Sequence, residues 1–266
     1  MSWYHVLMII AIFVFIIGAC AGSFCSALLH RTRHGGSVVS GRSRCTSCKK
    51  ELGPIDLIPI VSWIIRRGHC RFCGAKFSWQ YLALEVVFGA LFVGAYYRYC
   101  GWSDFCTSSG ALSTARLAAF LVFLGLIFMY DARHGEIPDS YSIVGAVTAF
   151  VVNVFIKPED WLWYILAAAV GAAFFGVQYA LSRGRWVGDG DILLGAMIGA
   201  MVGWPNVISA IFFAYIIGMV FVVALMAARR KKMTDTIPLG PLLAIGTALV
   251  LFFPSEIFRS FWYAFV

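Results

Sequence analysis

Residues 4–29 run without a single Asp, Glu, Lys or Arg. At a rise of about 1.5 Å per residue, a helix of that length exceeds the hydrocarbon thickness of a bilayer, about 30 Å. The pattern recurs: 79–97, 112–130, 140–156, 162–181, 191–203, 206–228 and 238–254 are also predominantly apolar, which makes eight predicted spans. The composition agrees, with 61% hydrophobic and 13% charged residues among 266, against about 25% charged in soluble domains. A soluble globule of this size has too much surface to hide so much apolar material. Disorder, collagen and a secreted disulfide scaffold are excluded by the same figures. The expected class is an all-α polytopic membrane protein. The sixth span is short and Gly-rich, and an irregular segment or one beside a cavity is expected there.

The net charge of +8 bears first on topology, and nucleic acid is not an expected partner. Ten basic residues fall in 30–78: Arg31, Arg33, Arg42, Arg44, Lys49, Lys50, Arg66, Arg67, Arg71 and Lys76. With alternating spans, Arg133, Arg183, Arg185 and the run Arg229 to Lys232 share that side, leaving Arg98, Arg116, Lys157 and Arg259 opposite. The positive-inside rule assigns the first side to the cytoplasm and both termini to the outside. Ile17-Gly18-Ala19-Cys20 resembles a lipoprotein cleavage box, but no basic residue precedes it and apolar sequence runs on to Leu29, so a retained first span is expected. The expected organisation is a first helix at 1–29, a cytoplasmic loop at 30–78 and a membrane core of about seven helices at 79–266.

The loop holds Cys45-Thr-Ser-Cys48 and Cys70-Arg-Phe-Cys73. Two such pairs at near zinc-ribbon spacing aim four thiolates at one point, a set that suits tetrahedral Zn²⁺. Arg44, Lys49, Lys50 and Arg71 would help keep the sulfurs deprotonated. Disulfides are disfavoured in a reducing cytoplasm, and a redox dithiol needs only one pair. With all four positions filled by protein, the metal is expected to be structural. Cys20 and Cys25 are expected to be small buried hydrophobes. Cys100 and Cys106 flank an external loop where a disulfide is permitted.

Acids at the ends of spans are costly and point to function. Asp131 closes the third span, and Asp191 opens the sixth within Gly188-Asp189-Gly190-Asp191. Both sit at the same hydrophobic border, where two spans could bring them together. Two close carboxyls keep one proton between them, so one serves as base toward water and the other as acid toward a carbonyl. Gly188 and Gly190 would let a substrate strand approach the backbone. The structural alternatives are a boundary pair of Asp131 with Arg133, a solvated Asp189 or its pairing with Arg185, and Asp139 as the N-cap of the fourth span. Glu85 lies inside the second span, either protonated within the bundle or lining a polar cavity.

These residues resemble the type IV prepilin leader peptidases, membrane aspartic proteases of the GxGD type. The resemblance is carried by Gly22-Ser23-Phe24, His30-Arg31, Arg42 to Cys48, Asp56 to Trp63, Arg67 to Gly74 and Tyr81 to Glu85. Asp131 stands seven residues before Pro138-Asp139, Asp191 closes the GxGD, Gly195 and Gly199 follow, and Ile237-Pro238-Leu239-Gly240-Pro241 is similar to the family's Pro-Phe-Gly-Pro. The resemblance implies that Asp131 and Asp191 are the catalytic pair, in a bacterial inner-membrane enzyme acting at its cytoplasmic face. It implies as substrates type IV prepilins and type II secretion pseudopilins, cut between Gly and Phe. It also implies N-methylation of the new terminus with S-adenosylmethionine, for which Glu85 is a candidate site residue. Membrane lipid is the other expected partner. Leu193 stands where the family usually has Lys. Two other classes compete: a proton-coupled transporter relaying through Asp131, Asp191 and Glu85, and an inactive zinc-binding scaffold. A transporter would show inverted repeats and acids near the midplane, whereas both aspartates stand at an edge.

Overall fold

The structure is a computed structural model and describes residues 3–34, 42–101, 106–228 and 237–253. The basic run Arg229 to Lys232, Arg259 and both chain ends lie outside these residues. The described residues are helical apart from turns, with no strand among them, only the isolated bridges Arg44 to Glu51 and His69 to Lys76. Two compact units divide the chain, Met1–Ala118 and Ala119–Val266.

The first unit contains α1 (Trp3–His34), the short α2 (Val61–Ile65), α3 (Trp79–Cys100) and the start of α4 (Ser108–His134). Helices α1 and α3 pack along their lengths through small residues. A Cβ on Gly18 would fall 2.6 Å from the Phe88 carbonyl, and one on Gly22 would fall 2.8 Å from that of Leu84. Gly18 and Gly22 thus form the four-residue step that lets two apolar helices touch backbone to backbone, where lipid gives no hydrophobic drive to associate. Cys25 is buried as expected, but Cys20 is exposed, because it faces away from α3. Cys100 and Cys106 are joined as a disulfide.

The second unit contains the rest of α4, then α5 (Asp139–Ile156), α6 (Trp161–Ser182), α7 (Asp189–Val202), α8 (Asn206–Ala227) and α9 (Gly240–Phe252). Helix α7 is its hub, touching α5, α6, α8 and α9. Beyond its first turn it is apolar on every side, as a helix enclosed by others must be, and Gly195 and Gly199 set it directly against the backbone of Gly171 and Ala167 on α6. Asn153 of α5 pins its far end by donating to the carbonyls of Ala200 and Met201. The sixth predicted span is therefore a regular helix.

Six of the described helices, α1, α3, α4, α5, α6 and α8, are long and apolar enough to cross a membrane. Helices α7 and α9, with 14 and 13 residues, extend about 21 and 20 Å, short of the roughly 30 Å needed. The chain is a multi-pass membrane protein by this measure. Asp139 is the first residue of α5 with Pro138 as its N-cap, so the side-chain cap expected of Asp139 is not made; its charge still complements the helix dipole.

Candidate functional site: two carboxylates in one unit and a four-cysteine loop in the other

Asp131 lies one turn before the end of α4, with 4% of its surface exposed, and Asp191 lies in the first turn of α7, with 8% exposed. Each is held by one backbone N–H. Gly240, the first residue of α9, donates to Asp131 Oδ2 at 2.8 Å. Gly188 donates to Asp191 Oδ2 at 2.9 Å, the reciprocal contact of a capping box at the start of α7. The two carboxylates are within Coulomb reach of each other. Gly190 passes against the backbone of Ile137, so the 135–138 turn packs on the GxGD turn, and any side chain at Gly190 would meet it at 3.2 Å. Asp189 is exposed and accepts the N–H of Gly190. Leu193 is half-buried one turn further on. Tyr215 of α8 also feels the charge of Asp191 and donates to Oε1 of Gln178 on α6.

The first unit assembles a different kind of site. Sγ atoms of Cys45, Cys48, Cys70 and Cys73 all lie within 4.8 Å of one another, with Cys45 and Cys73 3.8 Å apart. A tetrahedron with Zn–S bonds of about 2.3 Å requires sulfurs about 3.8 Å apart, so the donor set and its spacing fit that metal. Both pairs fold alike. Cys45 donates its N–H to Lys50 and accepts from Lys49, while Cys70 donates to Ala75 and accepts from Gly74. Lys49 and Gly74 both take positive φ, 59° and 69°, directly after the second cysteine of each pair. The N–H groups of Cys48 and Ser47 bring the Cys45 thiol down to about 6, a thiolate at neutral pH. The N–H of Ala75 pulls Cys73 the same way, but lost hydration and the three neighbouring sulfurs push it up to about 11.

Beside the cysteines is a cavity of about 350 Å³, reaching from Ser23 and Ser26 on α1 to Tyr81 and Glu85 on α3, and roofed by the loop. Glu85 is buried and accepts the N–H of Ile60 at 2.6 Å; Ser23 also hydrogen-bonds it. Asp56 bonds the N–H of Gly53 and lies 3.5 Å from both Arg66 and Arg71. Trp63 and Arg44 line the same space, and the buried Trp63 Nε1 has no hydrogen-bond partner.

Residues 16–99 match the Bacterial Peptidase A24 N-terminal domain, and residues 118–223 match the Type IV leader peptidase family. A protein of Bacillus subtilis named Prepilin leader peptidase/N-methyltransferase is 29% identical, over 92% of this chain and 94% of its own length. One of the same name from Myxococcus xanthus is 29% identical over 83% of this chain and 64% of its own length. Another, from Burkholderia pseudomallei, is 30% identical over 82% of this chain and 69% of its own. The chain belongs to the type IV leader peptidase family. It is therefore an enzyme, a peptidase whose relatives carry both peptidase and N-methyltransferase in their names. No solved structure matches it significantly.

Within this family member, the structure puts Asp131 and Asp191 in one unit within electrostatic range of each other, sets Gly188 and Gly190 around Asp191, and gathers the four cysteines. Glu85 belongs to the cavity of the first unit. Sequence reading assigned no role to Gly240, whose N–H holds Asp131. Its only signal was the glycine between Leu239 and Pro241 in that motif, where a Cβ would fall 2.6 Å from Asp131 Oδ2. Gln178 and Tyr215 were also missed, since each is one of several polar residues in a mainly apolar helix and neither belongs to a motif.

Proposed function

We propose that the protein is a membrane aspartic endopeptidase that removes the leader of type IV prepilins and type II secretion pseudopilins between Gly and Phe, and then N-methylates the new terminus. What supports the first half is that Asp131 and Asp191 are buried carboxyls on different helices of one unit, within electrostatic range of each other, each with one oxygen bonded to a backbone N–H. In the proposed cycle one carboxylate accepts a proton from water as the oxygen attacks the glycine carbonyl carbon. The other, protonated, donates to the carbonyl oxygen, and a proton then passes to the departing phenylalanine nitrogen. Gly188, exposed beside Asp191, keeps the approach to the scissile bond free of a side chain, and Gly190 lets the 135–138 turn close on the GxGD turn.

The second half is placed at the cavity of the first unit. Bound S-adenosylmethionine would supply an electrophilic methyl group. The chain's residues suit such a molecule in charge: Glu85 and Asp56 are acids for its cationic groups, and Arg44 and Arg71 are cations for its carboxylate. A cavity of about 350 Å³ falls within the range of small-molecule sites, about 300–1,000 Å³. Glu85 has one oxygen bound to Ile60, and its second would take the proton that the amine must lose. Zinc on Cys45, Cys48, Cys70 and Cys73 would be structural, fixing Arg44 and Arg71 around that cavity. The proposed topology has eight spans in a bacterial inner membrane, with α7 and α9 completing the bundle. Both termini are outside, the 30–78 loop joins the first helix (1–29) to the core (79–266) on the cytoplasmic side, and the aspartates stand at the cytoplasmic face. Incubating purified protein with a prepilin and sequencing the product's N-terminus tests the reading. N-methylphenylalanine is expected at the new terminus, and an uncut precursor contradicts it.

A further inference from the structure

We propose that residues 54–65 of the loop are immersed in the membrane, in the leaflet where α1 ends and α3 begins, with lipid acyl chains covering their apolar face. The side chains of this segment are arranged the wrong way round for water. Its one acid, Asp56, is turned inward with 7% of its side chain exposed. Ile55, Ile58, Ile64 and Ile65 are exposed by 67, 45, 59 and 69%. In α2, Val61, Ile64 and Ile65 share the outward face at helical spacing, while Ser62, Trp63 and Arg66 face the cavity. An amphipathic helix whose polar side is already buried against its own protein has only its apolar side left to meet its surroundings.

Depth gives a second, independent reason. The N–H of Ile60 reaches Glu85, six residues into α3, which is about 9 Å along the axis from Trp79. Leu57 and Pro59 line a cavity that runs along α1 from Cys20 and Phe24, inside the charge-free run, to Arg31 at its end. Cys20 is about 16 Å along that helix from Arg31. Trp79, 68% exposed at the start of α3, is placed like an interfacial anchor. The segment therefore lies alongside parts of α1 and α3 that are themselves in the membrane, and its exposed isoleucines continue their lipid-facing surface. Arg66 and Arg67 follow at once, where the chain turns back to water. The backbone strain at Ile60, φ 64°, marks the bend at which the segment is hooked to Glu85.

The test uses the full chain in nanodiscs of phosphatidylethanolamine and phosphatidylglycerol, with benzoylphenylalanine placed singly at Ile55, Ile65 or, as the control, Lys49. After illumination, phospholipid adducts are counted by mass spectrometry. Adducts at Ile55 and Ile65 at least tenfold above Lys49 are expected. Equal yields, or adducts to a second protein copy in place of lipid, overturn the proposal. The double variant Ile64→Glu, Ile65→Glu gives a second reading. Amide exchange across 54–65 should quicken at least tenfold with helical circular dichroism unchanged, and unchanged exchange contradicts immersion.

Discussion

The two units hold their polar groups by different means. In Ala119–Val266 the acids are fixed by backbone: helix starts deliver single N–H groups to Asp131 and Asp191, and glycines let α6 and α7 close to contact. In Met1–Ala118 the polar groups are fixed by side chains, with Asp56 beside two arginines, Glu85 hooked to a loop, and four sulfurs at one point. Packed helices can hold a charge in place only at their ends, where N–H groups are unsatisfied. A loop of about 50 residues lacks that framework and depends on ion pairs and a metal. The first arrangement is stiff and tolerates no added atoms; the second can be dismantled chemically while the helices remain.

The largest effect is expected in the helical unit. Asp131→Asn and Asp191→Asn should each lower prepilin cleavage by at least about 10³-fold with helicity unchanged, since an amide can be neither base nor acid; leader release on gels measures this. Near-full cleavage by either variant would remove the acid pair from the account. Next comes the loop. Stripping metal with a chelator, or replacing Cys45 with Ser, should make residues 42–78 sensitive to protease and lower methyl incorporation at least about tenfold, while cleavage falls less. Metal analysis should give one zinc per chain in untreated protein and none after chelation.

A subtler change separates backbone holding from side-chain chemistry. Gly240→Ala puts a Cβ 2.6 Å from Asp131 Oδ2 and must displace that carboxylate. Cleavage should drop about 10- to 100-fold, consistent with the cost of misplacing a catalytic group, while methylation of a pre-cleaved pilin stays normal. The smallest effect belongs to Glu51, exposed on the loop, whose carboxyl Arg44 and Arg42 hold below the ordinary range. Because its folded value is lowered, the stabilisation is present above the ordinary carboxyl range and fades as pH falls through it. Glu51→Gln should lower the loop's thermal midpoint slightly at pH 7, and the difference should shrink and vanish as pH falls through the lowered folded value.

Much of this was legible in the residues because apolar length and CxxC spacing are local signals. The charge-free run of α1, the two cysteine pairs and the GxGD turn each announce their chemistry within a few residues. The partnership of Asp131 with Gly240 spans 109 positions, and no local pattern carries it. The shortness of α7 was visible, but not the reason: a helix surrounded by four others is enclosed by protein, so bilayer thickness alone does not set its length. Cys20 and Cys25 lie five residues apart on one apolar helix, and which of them faces α3 is decided by the crossing at Gly18 and Gly22. The placement proposed for 54–65 has no such local signal, because the segment is too short to register as a span.

The central claim is that leader cleavage belongs to the two aspartates of the helical unit and methyl transfer to the loop-roofed cavity. The direct test is to give Asp191→Asn a pre-cleaved pilin with labelled S-adenosylmethionine, and an intact prepilin in parallel. The expected result is methyl incorporation at the wild-type rate with no leader release. Loss of methylation in this variant, with its fold intact, would contradict the claim and place both reactions at one site.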